Sequence, residues 1–297
     1  MERHRITTDT LNIAYIDQGP KDGRVIFLLH GWPDDVRAWD AVAAFLESKG
    51  FRLIVPFLRG FGDTTFRFAK TVRDASAVAI AQDVIDLANH LQIKKFSVGG
   101  HDWGARAAYT LAALFPERLY AIAALSLPYQ PRGVFKVPSF SQSRLFWYQW
   151  FMLSDAGADA VKSDPIGFAY IQWKTWSPAG WFQHSEFDET AKSFENPDWV
   201  AITLNGYRRR FKWEPSDERY DELRARLSMA EEIATPTLMI QGGSDTCDPP
   251  EGSEDLHGYF IRGYERFVIP TSGHFPMREA PDIVGEKLSD YFSIYSS

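Results

Sequence analysis

Asp102 stands in the run Gly99-Gly100-His101-Asp102-Trp103-Gly104, between a stretch that predicts a strand (95–99) and one that predicts a helix (105–114). A tight strand-to-helix turn needs small residues on both sides of its apex, and Gly100 and Gly104 supply them. The apex side chain is then pushed outward at a strained backbone angle, beside the positive end of a helix dipole. An Asp at such a point either caps the helix or acts as a nucleophile. Two other residues bear on the choice. Asp245, in Gln241-Gly242-Gly243-Ser244-Asp245, and His274, in Pro270-Thr271-Ser272-Gly273-His274-Phe275, each follow the carboxyl end of an apolar run. A nucleophile, an acid and a His arriving in that order from separate strand ends form a catalytic group. Asp248, directly before Pro249-Pro250, competes with Asp245 for the acid role; Asp245 lies nearer its strand end and is preferred.

The residue type at the apex decides what is attacked. A carboxylate, with an ordinary pKa of about 3.9, is ionised at neutral pH without help from a base. It displaces a leaving group in line at an sp³ carbon and becomes an ester. A His oriented by a second carboxylate then activates water against the ester carbonyl. His30-Gly31-Trp32-Pro33 follows the run 24–29 and brings the Trp32 N–H toward the apex. With the Trp103 N–H it makes an expected two-donor oxyanion hole. His30 and His101 read as structural.

The elements that must position these groups alternate. Strands are predicted at 11–16, 24–29, 53–55, 95–99, 120–125, 237–240 and 266–269, and helices at 40–49, 75–91, 105–114 and 283–292. Such alternation predicts an α/β fold with a mostly parallel central sheet flanked by helices. From Pro128 to Leu227 the alternation stops. That segment reads as helical and irregular, and it holds Trp147, Trp150, Trp173, Trp176, Trp181, Trp199 and Trp213, seven of the ten tryptophans. The expected organisation is a core of residues 1–127 and 228–297 interrupted by a helical lid, residues 128–227.

Composition narrows the classes of function. The 297 residues are 45% hydrophobic and 24% charged, enough for a large buried core. With 32 Lys and Arg against 39 Asp and Glu, the net charge of -7 argues against nucleic acid as a partner. A single cysteine, Cys247, leaves no disulfide framework or multi-thiolate metal site. The seven histidines show no metal-binding spacing, and no phosphate- or dinucleotide-binding glycine pattern occurs, so neither metal nor cofactor is expected. No run has the length of a membrane span or the pattern of a secretory leader. A cytoplasmic monomer or homodimer without a membrane partner is the expectation. Aromatic residues, 15% of the chain, exceed what a core requires. Concentrated in a lid, they imply an apolar pocket and a substrate with a hydrophobic body.

The chain resembles the α/β-hydrolase superfamily, and within it the aspartate-nucleophile branch of epoxide hydrolases and haloalkane dehalogenases. The likeness is carried by HGWP (30–33) with Trp39, LRGFGDT (58–64), GHDWGA (100–105), FPERL (115–119), Asp245 with Pro249, and GHFP (273–276). It implies the α/β-hydrolase fold and a catalytic set of Asp102, His274 and Asp245. The aromatic after HG, followed by Pro and an acidic residue, resembles epoxide hydrolases more than dehalogenases. Epoxide hydrolases protonate the ring-opened alkoxide with two lid tyrosines, and Tyr148, which precedes Gln149, and Tyr207 resemble them. The resemblance therefore implies opening of epoxides to vicinal diols. A dehalogenase using the same triad is the alternative. Trp150 and Gln149 fall near the halide donors of fluoroacetate dehalogenases, and Arg106 matches one of that family's two carboxylate-binding arginines; Trp103 occupies the place of the other. A non-catalytic binding member of the fold is a second alternative. The expected pocket is lined by Trp32, Trp103, Gln149, Trp150 and Phe275, for a small hydrophobic epoxide or organohalide.

Overall fold

The strands of the computed structural model, which describes residues 2–295, grow from the apolar runs of the sequence. They are β1 (Arg3–Thr7), β2 (Leu11–Gln18), β3 (Arg24–Leu29), β4 (Phe51–Pro56), β5 (Thr65–Phe66), β6 (Phe96–His101), β7 (Leu119–Leu125), β8 (Thr237–Gly242) and β9 (Tyr264–Ile269). They form one sheet in the order β1-β2-β4-β3-β6-β7-β8-β9, with β5 paired to β2. From β4 to β9 every neighbouring pair is parallel; β1, β2 and β5 join antiparallel. Every residue of β6 and β8 is buried, as expected for parallel strands covered on both faces.

The covering helices are α1 (Asp40–Ser48), α2 (Ala77–His90) and α3 (Trp103–Leu114), and at the far end of the chain α11 (Pro276–Glu279) and α12 (Pro281–Tyr295). α1 packs with α12, and α2 with α3, giving a layer on each side of the sheet. Local sequence sets their ends. Ser76 caps α2 by accepting the Ala79 N–H, and α3 stops where Pro116 removes a donor. The architecture is the expected α/β sheet flanked by helices.

Between β7 and β8 the chain leaves the sheet for a helical insertion: α4 (Phe140–Leu145), α5 (Trp147–Leu153), α6 (Asp155–Ser163), α7 (Pro165–Thr175), α8 (His184–Ala191), α9 (Trp199–Arg208) and α10 (Asp221–Met229). Indole groups tie it to the core: Trp173 Nε1 donates to Pro33 O at 2.7 Å and Trp32 Nε1 to Thr203 Oγ1 at 2.9 Å. α10 departs from the rest, since its Leu227 packs with Val78, Ala79 and Leu114 of α2 and α3. No described helix is long and apolar enough to cross a membrane.

β6 lies between β3 and β7, with Leu29 beside Gly100 and His101 beside Leu125. The loops after β3, β6, β8 and β9 therefore leave the sheet at one end, where open parallel sheets hold their ligands.

Candidate active site

Asp102 sits between the last residue of β6 and the first of α3 with φ 50° and ψ −111°. A side-chain-bearing residue reaches that left-handed region at a cost of about 1–3 kcal/mol, which the surroundings must over-determine. Close packing does so here. A Cβ on Gly104 would come within 2.2 Å of Leu29 O, and one on Gly100 within 2.2 Å of Gly104 O, so neither position admits a side chain. The Asp102 carboxylate makes no capping bond to α3. The helix-cap reading of this residue therefore finds no contact to support it.

One oxygen of that carboxylate, Oδ1, accepts the Trp32 backbone N–H at 2.8 Å. The other, Oδ2, lies 3.9 Å from His274 Nε2. Trp103 opens α3, so its N–H belongs to the turn that has no acceptor within the helix. On its far side His274 presents Nδ1 to Asp245 Oδ2 at 2.8 Å. Asp245 is itself held: Oδ1 accepts the N–H groups of Cys247 (2.7 Å) and Asp248 (2.9 Å), which aims Oδ2 at the imidazole. Asp248 contributes its backbone to this arrangement, while its carboxyl contacts neither nitrogen of His274.

Burial alone would lower the His274 pKa. The charge and hydrogen bond of Asp245, with the charges of Asp102 and Asp248, outweigh it and push the imidazole up to about 9. Burial and its carboxylate neighbour Asp245 push Asp248 up to about 7. His30 and His101 are spent on structure. His30 bridges Gly31 O (2.9 Å) and the Leu58 N–H (3.0 Å), and His101 Nε2 meets His274 O at 2.7 Å. Burial holds both below the usual imidazole range.

Tyr148 on α5 and Tyr207 on α9 come together from opposite ends of the insertion, ring centroids 5.4 Å apart. Both pack on the Trp32 indole, at 5.7 and 5.3 Å. Burial raises both phenols well above the usual 10, and the Asp102 charge adds to it in each case. They are protonated donors under all physiological conditions.

Residues 24–281 match the α/β-hydrolase fold family. This chain belongs to that family. Among solved structures, that of a provisionally named epoxide hydrolase from Klebsiella pneumoniae superimposes with a TM-score of 0.91 at 33% identity, covering 97% of this chain and 96% of that one. Epoxide hydrolase 3 of Siraitia grosvenorii is 27% identical, with 95% of each chain covered. An epoxide hydrolase of Caballeronia sordidicola is also 27% identical, over 97% of this chain and 92% of its own. The α/β-hydrolase described here is thus epoxide-hydrolase-like in sequence and in fold.

The other expected pocket residues of this α/β-hydrolase are distributed unevenly. Gln149 is buried and donates to the Tyr148 hydroxyl at 3.0 Å. Trp150 turns away: its indole N–H donates to Ser143 O at 2.8 Å and its ring packs on Phe211. Phe275 is fully buried and stacks on Trp181 at 4.6 Å, fastening the insertion to the core. Of the expected pocket residues only Trp103 lines the cavity that opens beside α2 and α3. Around Trp32 the rings of Tyr148, Trp176 and Tyr207 pack at 5.3 to 5.8 Å.

Three positioning residues escaped the sequence reading. Trp176 packs its ring 4.9 Å from His274, and its carbonyl accepts the His274 N–H at 3.2 Å. Ser177 Oγ accepts the same N–H at 2.8 Å. Glu279 clasps both sides, accepting from Ser177 Oγ, Gly273 N and Phe275 N at 2.7 to 2.9 Å. Nothing distinguished Trp176 from the other tryptophans of the insertion, and Glu279 lacked a motif.

Proposed function

We propose that this α/β-hydrolase opens epoxides to vicinal diols through an ester on Asp102, with residues 128–227 acting as the lid. Oδ2, the carboxylate oxygen not engaged by the Trp32 N–H, attacks a ring carbon. The ring C–O bond breaks, and the released alkoxide takes a proton from Tyr148 or Tyr207. Either phenol is a stronger acid than the alcohol it creates, and burial keeps it protonated until that moment.

Water then meets His274, which takes its proton while the oxygen adds to the ester carbonyl. Oδ1 carries the negative charge that develops, against the Trp32 and Trp103 N–H groups. The proton that His274 holds at rest passes to the tyrosinate once the ester has formed, so the imidazole is neutral when water arrives; collapse of the intermediate then frees the diol and restores the Asp102 carboxylate beside a protonated His274. Asp245 holds the imidazole in the tautomer whose Nε2 accepts.

The observation that carries this reading is the meeting of two buried phenols on the ring of Trp32, whose own N–H holds Asp102. A halide leaving group needs donors but no acid. Trp150, one of the donors the dehalogenase reading offers beside Gln149, is bonded to Ser143 O. The epoxide-hydrolase names of the relatives agree. Incubation with matched panels of aryl epoxides and haloalkanes, reading diol against released halide, tests the reading. Diol without halide supports it, and halide without diol overturns it.

A further inference from the structure

Gln149 stands between a cation and one of the two phenols. Its Oε1 accepts from Arg210 Nη1 at 2.9 Å, and its Nε2 donates to the Tyr148 hydroxyl at 3.0 Å. A guanidinium has only donors to offer. Arg210 therefore fixes which end of the buried amide turns toward it, and the amide in turn obliges the Tyr148 oxygen to accept. The phenolic hydrogen must point elsewhere. Among the described residues its other polar neighbour is Cys247 Sγ, 3.8 Å away, a weak acceptor that leaves the hydrogen available for donation.

Arg210 follows α9 and lies over two rings, Tyr207 at 5.0 Å and Phe135 at 5.2 Å, which attract a cation to their faces. Among the described residues its guanidinium meets no carboxylate. Its chain neighbours do: Arg208 pairs with Asp155 and Glu214, and Arg209 with Asp74. Burial, and after it the charge of Arg106, disfavour the Arg210 cation, whereas negative charge on Tyr207, Tyr148 or Asp102 favours it. Ring opening on the proposed path moves one negative charge from Asp102 through the alkoxide to a phenol. A cation held in place before the reaction begins acts most strongly on charge that develops during it.

We propose that Arg210, acting through Gln149, is a positioning residue that turns the Tyr148 hydroxyl into a proton donor toward the opened ring and stabilises the phenolate it leaves. When the Tyr148 O–H bond breaks, the proton goes to the alkoxide oxygen and the electron pair stays on the phenolic oxygen. The Gln149 N–H, polarised by Arg210, holds that charge until the proton from His274 replaces the one given up. The step served rests on the epoxide reading; the coupling of Arg210 to the Tyr148 phenol does not.

Replacement of Tyr148 by difluorotyrosine, whose phenol is more acidic, lets fluorine NMR follow the titration of this one group without turnover. Arg210→Gln moves the midpoint up by about one pH unit, Arg210→Lys moves it by less, and Gln149→Leu moves it at least as far as Arg210→Gln. A midpoint unmoved in Arg210→Gln overturns the coupling. Arg210 is partly exposed at the edge of a cavity, so its two variants decide the matter even where Gln149→Leu does not fold. The part in ring opening is read as single-turnover ester formation from an aryl epoxide. Arg210→Gln slows it by roughly three- to tenfold. With Phe already in place of Tyr148 the same change alters it by less than about twofold, the non-additivity of residues that act through one another. Unchanged ester formation, or equal loss in both backgrounds, overturns the relay's part in the reaction. A wild type that opens no epoxide overturns the epoxide reading, while the fluorine titration still decides the coupling.

Discussion

His274 Nε2 stands 3.9 Å from Asp102 Oδ2 and has no hydrogen-bond partner. That separation is too long for a hydrogen bond, so the nitrogen is free to receive a water. Burial opposes charge on this imidazole, but Asp245, Asp102 and Asp248 hold it protonated up to about pH 9. Asp102 is one of those three charges. Ester formation on the proposed path neutralises it, which makes His274 a readier proton acceptor as soon as the second step requires one.

Removal of the phenols should act on the first step. Tyr148→Phe and Tyr207→Phe each slow ester formation from an epoxide, by roughly 10²-fold if each acts as a general acid, and the double variant slows it further. Stopped-flow tryptophan fluorescence in single turnover reads that step directly, given the Trp32 ring 5.7 Å from Tyr148. Unchanged rates in the double variant would assign the two rings to packing alone.

Asp245→Asn should release the imidazole from the partner that orients it. Hydrolysis of the ester falls by roughly 10²- to 10⁴-fold, and the His274 titration, followed by NMR, moves down from about 9. Asp248→Asn leaves the orienting bond in place and retains most of that rate. The same shift sets a stability window. The folded-state pKa lies above the ordinary 6.5, so protonation of His274 stabilises the fold fully below about pH 6.5, and this contribution is lost as the pH rises through about 9. Urea unfolding at stepped pH should show the wild-type advantage over Asp245→Asn narrowing across that interval; an advantage that widens contradicts the assignment.

Gly104→Ala should damage the elbow itself. The added methyl would meet Leu29 O at 2.2 Å and His30 O at 2.8 Å, both backbone atoms that cannot swing aside. A loss of about 1–3 kcal/mol or more follows from such overpacking, visible as a lower urea midpoint, with activity falling alongside as β3 and α3 are forced apart.

The order of strands and helices was legible because each parallel strand, such as 24–29, is a continuous apolar run. β1 was not, since three of its five residues are Arg or His and only Ile6 is buried; an antiparallel edge strand needs little more. β5, two residues long, carries no pattern at all. Asp102, His274 and Asp245 were readable from their positions at strand ends. The choice between nucleophile and cap was not, because both place an Asp at a helix start; the structure shows no capping bond from Asp102 to α3. Asp245 and Asp248 lie within one turn of chain, and their roles divide through hydrogen bonds that spacing does not encode. On α5, positions 148 and 150 are about 200° apart around the helix axis. Tyr148 therefore faces Trp32 while Trp150 faces Phe211, a consequence of helix phase that motif likeness alone overlooked.

The covalent ester is the central claim, and intact-protein mass spectrometry of His274→Gln tests it most directly. With the base removed, the variant incubated with an epoxide that the wild type hydrolyses should gain the full mass of that epoxide, because ring opening expels nothing, and digestion should place the added mass on Asp102. A variant that remains at its unmodified mass with such a substrate contradicts the account.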